Sequence, residues 1–469
     1  MISTPTPQYL SDIMDVYRVF YGATEPDTPL THTFLETNGQ YETAFSYRGK
    51  QIKNTAPIPK GNATLQKRIQ KRLIKVTLYN LLKNITGIKP PWGSLTGIRP
   101  TRLFYEQLAE GASIPEAQHN LEAVFDLDKD KAELLCRIVS VQKQLPPPKK
   151  SEVDIYIGIP FCTSLCAYCS FSSGEIGSGK LVPPYLKALE AEMQATASLM
   201  REHGLSLRAI YVGGGTPTSL SEDQFAWLID RMNLYFPNAV ETTVEAGRPD
   251  TITLKKLQAL KNGNVGRISI NPQTFNDATL KLIGRNHSAR DVFTAYEMAR
   301  AVGISHINMD IIAGLPRETL HDFEHTLSCV HALHPESLTV HTLALKRSSR
   351  LHLQGATLPD GDMTALMVLK GAQTAAALSL EPYYLYRQKY MAGNQENVGY
   401  ALPSHACLYN IDMMEETANI LGIGAGAMSK RVSGGEKHIE RAPNVSDILT
   451  YLKRSDEMMA RKHALWASK

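Results

Sequence analysis

The chain of 469 residues is poor in most features that assign a protein to a special class at sight. It has six cysteines, too few for a disulfide framework in a chain of this length. It has no excess of one charge: 50 basic residues against 46 acidic ones leave +4, and no long basic block occurs, which argues against a nucleic-acid partner. No apolar run approaches the roughly 20 residues that cross a bilayer, so no membrane span is expected. The N-terminus, MISTPTPQYLSDIMDVY, lacks the basic head and apolar core of a signal peptide. What remains is an ordinary globular composition, 43% hydrophobic and 20% charged, at a length that suggests two or three domains.

Three of the six cysteines stand together. In YIGIPFCTSLCAYCSF (156–171), Cys162, Cys166 and Cys169 have C-x3-C-x2-C spacing directly after the apolar, β-branched run Val153–Ile159. Three thiolates on one short loop suit three irons of a four-iron cluster. No fourth cysteine follows, so one iron is left for a small-molecule chelator. The competing readings are a zinc site or buried free thiols. Zinc prefers four ligands in paired sets, and no partner pair is present. An oxygen-sensitive cluster predicts a reducing, cytoplasmic setting.

In chain order, ETAFSYRG (42–49) alternates as a strand of a small hairpin. From Asn62 to Ile85 the pattern is helical, with Leu65, Ile69, Leu73, Val76 and Tyr79 on one face and Lys and Arg mostly opposite. PPWGSLTGIRPTRL (90–103) breaks it, and its Gly93, Gly97 and Arg99-Pro100 suit an ordered connector or a docking surface. Helical patterns run from Arg102 to Gly111 and from Ile114 to Leu145, before the linker PPPKKSE (146–152). Strand and helix then alternate six times, with strands over 153–159, 207–214, 240–246, 265–271, 306–313 and 337–344 and amphipathic helices such as 183–204 and 221–236. That pattern predicts a parallel sheet. Six units suit an open (β/α)6 partial barrel, with chemistry on the loops at the C-terminal strand ends. From about residue 355 the character changes to a mainly helical cap segment, with a loop at YYLYRQKYMAGNQENVGYA (383–401) and a terminal helix from Val445 to Lys462. The expected architecture is therefore α/β: an α+β N-terminal domain (1–148), the partial barrel (149–354) and the cap (355–469).

Gly213-Gly214-Gly215-Thr216-Pro217 follows the second strand, where glycines let a backbone approach a ligand and expose N–H groups. Glu245, Gln273, Arg285 and Asp310 lie at or beyond successive strand ends, each equally readable as a loop-stabilising side chain. Asp310 suits ribose hydroxyls and Arg285 suits a carboxylate. GEIGSGK (174–180) nearly fits a phosphate loop, but Leu181 replaces the metal-binding hydroxyl. GIGAGA (422–427) lacks the strand–turn–helix setting of a dinucleotide site and reads as a close-packed loop. His287, His325 and His341 have no metal-site pairing, and Cys136, Cys329 and Cys407 read as structural thiols.

The three-cysteine spacing with Tyr168 before the last cysteine resembles the signature of the radical S-adenosylmethionine (SAM) superfamily. In order and spacing, YIGIPFCTSLCAYCSF, YVGGGTPTSL, TTVEAGRPD, RISINPQTF, LIGRNH, NMDIIAGLP and ILGIGAGAMSK resemble the oxygen-independent coproporphyrinogen III oxidase family over roughly residues 150–430. WGSLTGIRPTRL and YRQKYMAGNQENVGYA are similar to its Z-type dehydrogenase branch. The resemblance implies that Cys162, Cys166 and Cys169 ligate a [4Fe-4S] cluster and that Tyr156, Tyr168, Gly214 and Glu245 serve the cluster-bound SAM. It implies a second SAM near Gly215, Thr216, Gln273, Arg285, Asp310 and Ala344, and an adenine contact at Gly426.

The activity implied is radical oxidative decarboxylation of coproporphyrinogen III propionates to vinyl groups, giving protoporphyrinogen IX in haem biosynthesis. A tetrapyrrole substrate and a flavodoxin- or ferredoxin-type electron donor are the implied partners. Arg267, Arg317, Arg347 and Arg387 are the basic candidates for the propionates. Phe171 replaces a further cysteine of the family and Gly158 a histidine, and the His-Asn motif of the haem-chaperone relatives is absent. Haem-delivery and tetrapyrrole-methylating proteins share the same core and are the rival readings.

Overall fold

The computed structural model describes every residue except 1, 23, 62, 170–172, 346–348, 354, 357–358, 390, 434–437 and 468–469. Phe171 and Arg347 therefore lie outside the described residues. The chain forms two compact units, Met1–Cys136 with Arg387–Tyr390, and Arg137–Tyr386 with Met391–Lys469.

The first unit holds four strands, Ile2–Ser3, Leu30–Thr37, Gln40–Tyr47 and Lys50–Pro57, in that spatial order. Helices Leu10–Tyr21 and Ala63–Thr86 share a core with them through Ile13, Tyr17, Phe45, Ile74 and Leu78. The long helix buries Ile74, Leu78, Leu81 and Leu82 completely, so its deepest stripe lies in its C-terminal half rather than at Leu65, Ile69 and Val76. The helical pattern from Ile114 to Leu145 is two helices, Ile114–Phe125 and Lys129–Gln142. They part at Asp126, left-handed at φ 58°, whose carboxylate accepts from Tyr79 Oη at 2.7 Å and Lys83 Nζ at 2.5 Å. WGSLTGIRP is an ordered connector: Trp92 is fully buried, and a Cβ at Gly93 would sit 1.9 Å from the Phe125 carbonyl oxygen.

The second unit is built on one eleven-stranded sheet. Its strands are β1 (Glu152–Ile159), β2 (Ser206–Gly214), β3 (Glu241–Gly247), β4 (Arg267–Ile270), β5 (Ile307–Ala313), β6 (Ser337–Thr342), β7 (Glu381–Tyr386), β8 (Asn397–Ala401), β9 (Asn419–Ile423), β10 (Met428–Ser433) and β11 (His438–Pro443). The spatial order is β7-β8-β6-β5-β4-β3-β2-β1-β9-β10-β11. The seven from β6 to β9 run parallel, and two antiparallel strands flank each side. The six predicted strands are all present. They are covered on both faces, which is why their sequences run apolar rather than alternating. Helix Val182–Glu202 begins with two prolines in its first turn, where their missing N–H groups go unneeded. It buries Tyr185, Leu189, Met193 and Ala197 at helical spacing. Helix Glu222–Tyr235 starts on a capping box of Ser221 and Gln224.

The residues after 355 depart from the expectation in two places. They add five strands, and YYLYRQKYMAGNQENVGYA is not one loop but contains most of β7 and all of β8. Tyr383, Tyr384, Leu385, Val398 and Tyr400 are all buried there, which hides the alternation that marks a half-exposed strand. The terminal helix is also two helices, Ile448–Lys453 and Ser455–Ala467. Asn444 and Val445 are engaged in backbone bonds to Ala427 and Gly426, so the first helix starts only after its cap, Asp447. No helix among the described residues is long and apolar enough to cross a membrane.

Candidate functional site

The cysteine loop leaves the C-terminal end of β1. Cys162 lies in a two-residue strand, Phe161–Cys162, paired with Gly174–Glu175 from the GEIGSGK stretch. Thr216 Oγ1 donates to the Cys162 sulfur at 3.6 Å. A turn closed by Cys169 N on Cys166 O at 3.1 Å carries the other two thiols, and none of the three is in a disulfide. The loop is tied from outside. Arg248 Nη1 donates to the Ser164 carbonyl and hydroxyl oxygens at 2.9 Å each, Ser164 Oγ donates to Gly284 O at 3.0 Å, and Ala167 N bonds Ile283 O at 2.8 Å. Arg350 also donates to the Leu165 carbonyl.

The glycine motif closes on this loop. Gly215 N and Thr216 N donate to Ile159 O and Phe161 O at 2.7 Å each. Gly214 is at φ +111°, and a Cβ on Gly215 would meet Phe161 O at 2.5 Å, so only glycine permits this approach. Glu245, from β3, lies against Gly213, where an added Cβ would be 3.0 Å from its Oε2, and accepts from Tyr211 Oη at 2.6 Å. Burial, reinforced by the Asp310 charge, pushes Glu245 up to about 7. Tyr211 stacks on Tyr409 at 4.7 Å, with Tyr156 completing the group at 6.4 and 6.1 Å.

Asp310 in β5 accepts from Asn308 Nδ2 at 2.8 Å and lies 3.6 Å from His341 Nε2 on β6. Burial opposes ionisation of Asp310, but the neighbouring His341 ring outweighs it and holds the carboxyl below its ordinary range. Tyr386 Oη lies 3.3 Å from His341 Nδ1. Gln273, left-handed at φ 66°, bridges to Ile311, with its N–H on Asp310 O at 2.9 Å. Arg285 donates to Tyr168 Oη at 3.1 Å and Asn271 O at 3.3 Å. Ala344 follows β6 and bridges Met391.

Tyr156, Gly214 and Gly426 line a single cavity of about 640 Å³, together with Ile159, Pro160, Ala425 and the stretch Pro443–Asp447. GIGAGA forms its wall: β9 ends at Ile423, and Gly424–Ala427 turns directly into β10. It is a strand–turn–strand and not a dinucleotide fold.

The arginine candidates fare differently. Arg267 opens β4 at the end away from the cysteine loop and is buried against Glu241 (3.1 Å), Thr243 (3.0 Å) and His306 (3.1 Å). Arg387 belongs to the first unit, where it donates to Leu95 O at 2.5 Å and lies over the Trp92 ring at 4.9 Å. Both are structural and are withdrawn as substrate contacts. Arg317 is exposed on the loop after β5. Arg248, Ser164, Tyr211 and Tyr409 are not singled out by the sequence, and His341, which shows no metal-site pairing there, instead lies beside Asp310. Arg248 carried a signal, as a basic residue in the turn that ends β3.

Among the described residues no three His, Cys, Asp or Glu side chains converge on a single metal ion. A four-iron cluster asks for something else, since each thiolate takes a different iron. Three thiols on one loop, none in a disulfide, with Cys162 bonded by a hydroxyl and a cavity lined by Ile159, Pro160 and Gly214 at the start of the loop, fit such a group.

The matching family model is the radical SAM superfamily, over residues 156–330. A 41% identity over 401 residues joins the chain to the oxygen-independent coproporphyrinogen-III oxidase-like protein HemZ of Bacillus subtilis, covering 84% of this chain and 80% of that one. The heme chaperone HemW of the same organism is 40% identical over 210 residues, 42% of this chain and 54% of its own. The solved coproporphyrinogen III oxidase HemN of Escherichia coli shares the fold, with TM-score 0.54 and 22% identity, over 70% of this chain and 73% of its own. Fold and site thus define a radical SAM protein, a class that uses a [4Fe-4S] cluster and SAM. Within it, the chain belongs to the family of the oxygen-independent coproporphyrinogen-III oxidase-like protein HemZ.

Proposed function

We propose that the protein carries out oxygen-independent oxidative decarboxylation of coproporphyrinogen III propionates to vinyl groups, yielding protoporphyrinogen IX. The observation that carries this reading is the seating of the Cys162–Cys169 loop against Gly214–Thr216 beside the 640 Å³ cavity, in a chain 41% identical to an oxidase-like relative along most of its length. Cys162, Cys166 and Cys169 hold the cluster. A bound cluster and SAM would supply the one-electron reduction and radical chemistry that remove a propionate β-hydrogen; CO2 and one further electron would then leave, the electron passing to an external one-electron acceptor.

The chain's own residues bind, orient and exclude water. Gly214 brings the backbone to the cluster-bound SAM, Tyr168 contacts it, and Glu245 accepts from its amino group. Tyr156 and Gly426 face its nucleoside in the cavity. Gly215, Thr216, Gln273, Arg285, Asp310 and Ala344 surround a second SAM. Arg317 and Arg347 remain the basic candidates for the propionates, the latter outside the described residues. A reducing cytoplasm and a flavodoxin- or ferredoxin-type donor complete the reading.

A haem-delivery role is the second reading, favoured by the 40% identity to a heme chaperone over 210 residues. The deciding experiment is anaerobic turnover of coproporphyrinogen III with reductant and SAM, followed by mass spectrometry. Stepwise loss of two carboxyl groups with 5′-deoxyadenosine, absent in Cys166→Ala, supports the oxidase. SAM cleavage with the substrate untouched removes that substrate. A gain of methyl mass indicates a methyltransferase, and haem binding without SAM cleavage supports delivery.

A further inference from the structure

Glu192 has no place in the chemistry above, yet it is the most heavily bonded side chain near the cavity. It sits in helix Val182–Glu202 with 0% exposure. Its Oε2 accepts from Gly424 N at 2.7 Å and Tyr451 Oη at 2.6 Å, and its Oε1 from Asn444 Nδ2 at 2.7 Å and Lys462 Nζ at 2.5 Å. A carboxylate with four donors is a fully satisfied buried charge, and Lys462, 2% exposed, neutralises it.

The four donors come from two segments that line the cavity and from the two C-terminal helices, which line it through Thr450 and Arg461. Gly424 starts the turn that presents Ala425 and Gly426. Asn444 starts the stretch that presents Val445, Ser446 and Asp447. The segments are knitted to each other by Gly426 N on Val445 O and Asn444 N on Ala427 O, both 2.9 Å. Two helical turns before Glu192, on the same face, Tyr185 Oη donates to Gly158 O at 2.6 Å and accepts from Ala425 N at 3.0 Å. The turn has no slack: a Cβ on Gly424 would lie 2.5 Å from Gly158 O.

We infer that Glu192, paired with Lys462, is a positioning residue for SAM, fixing the wall that receives the nucleoside half of the molecule. The inference rests on the reading of this cavity as the SAM site. It assigns the C-terminal helices a part in cofactor affinity, although neither carries a cluster ligand. It separates the two halves of the ligand: the amino-acid half depends on the cysteine loop, and the nucleoside half depends on Glu192.

The test uses the full chain, reconstituted anaerobically, with SAM, 5′-deoxyadenosine and methionine as probes. Glu192→Leu combined with Lys462→Met removes both charges together and leaves Gly424 N and Tyr451 Oη without their acceptor and Asn444 Nδ2 with Gly424 O alone, while apolar groups of similar volume fill the space. The expected result is parental iron content in a folded protein of lowered thermal midpoint, with SAM and 5′-deoxyadenosine binding weakened about tenfold or more and methionine unchanged. A folded double variant that binds SAM as the parent does overturns the inference and leaves the cofactor reading intact. A parent that binds no SAM overturns the cofactor reading first. If the double variant does not fold, Tyr451→Phe decides: it keeps the charge pair and lies behind the wall. A loss of about two- to fivefold in SAM binding supports the clamp, and no loss overturns it.

Discussion

Arg248 and Ser164, 84 residues apart in sequence, are joined by two hydrogen bonds of 2.9 Å from one guanidinium nitrogen to the serine carbonyl and hydroxyl. Ser164 lies between the first two cysteines of the loop. The same guanidinium, 3% exposed, pairs with Asp250 through Nε and Nη2 at 3.1 and 3.2 Å. The turn after β3 thus fixes the arc on which Cys162 and Cys166 are held. Arg248→Met leaves the Ser164 carbonyl without its donor and Asp250 without its cation, at a cost of about 2–3 kcal/mol. Iron retained per chain after desalting is expected to fall well below the parent, with Arg248→Lys only partly restoring it, because an ammonium cannot reproduce the planar fork. Equal iron retention in all three proteins would show that the loop holds its shape without the tie.

The glycine turn makes a sterically sharp case. Gly215→Ala places a methyl 2.5 Å from Phe161 O, and both atoms belong to backbone fixed by neighbouring bonds. The expected cost is about 1–3 kcal/mol, with loss of cluster assembly as the loop is pushed away from β2. Gly97→Ala, where a Cβ meets nothing within 4 Å, is the control, expected within about 0.5 kcal/mol of the parent. Thermal midpoints and cluster absorbance of the two variants check both numbers.

Asp154, on β1, is 0% exposed, and among the described residues neither carboxyl oxygen has a hydrogen-bond partner. Burial raises it far above the ordinary carboxylate range, and the nearby Asp412 charge adds to the shift. The folded state therefore holds a proton that the unfolded chain gives up near pH 3.9. Stability from this group is complete below that pH and is lost progressively as pH rises toward the folded-state value. Asp154→Asn keeps the shape without the ionisation. It is expected to match the parent at about pH 4 and to exceed it by about 1–3 kcal/mol at neutral pH. Parallel melting curves from pH 4 to pH 8 that never diverge would refute this.

How far the sequence could be read depends on where the partners lie. The cysteine loop and the glycine turn are local patterns, and the strands beneath them run long enough to be recognised. Arg248 with Ser164, and Glu192 with Lys462 across 270 residues, are non-local and carry no spacing signal. Strands β7 and β8 carry no alternation because they are buried on both faces. Arg267 is the instructive error. It opens β4 while Asn271 follows its end, so the direction of the strand alone points it away from the loops where the chemistry lies.

Glu245 connects the site to pH. With its carboxyl pushed up to about 7 by burial, the group is largely protonated at pH 6 and largely ionised at pH 8. In the proposed role of Glu245, only the ionised form would accept fully from the amino group of SAM. SAM affinity is therefore expected to rise with pH through about 7, changing about tenfold per unit on the acid side of that value. Bound SAM, by favouring the carboxylate, takes up the ionised form and releases a proton on binding near pH 6. Glu245→Gln is expected to bind SAM weakly, with no inflection near pH 7, while Cys162, Cys166 and Cys169 still take up iron. Isothermal titration of the parent and Glu245→Gln in two buffers of different ionisation enthalpy reads the carboxyl proton as the difference between them, because the α-ammonium of SAM can also give up a proton on binding. Equal release by the two proteins at pH 6 would mean that Glu245 is already ionised there.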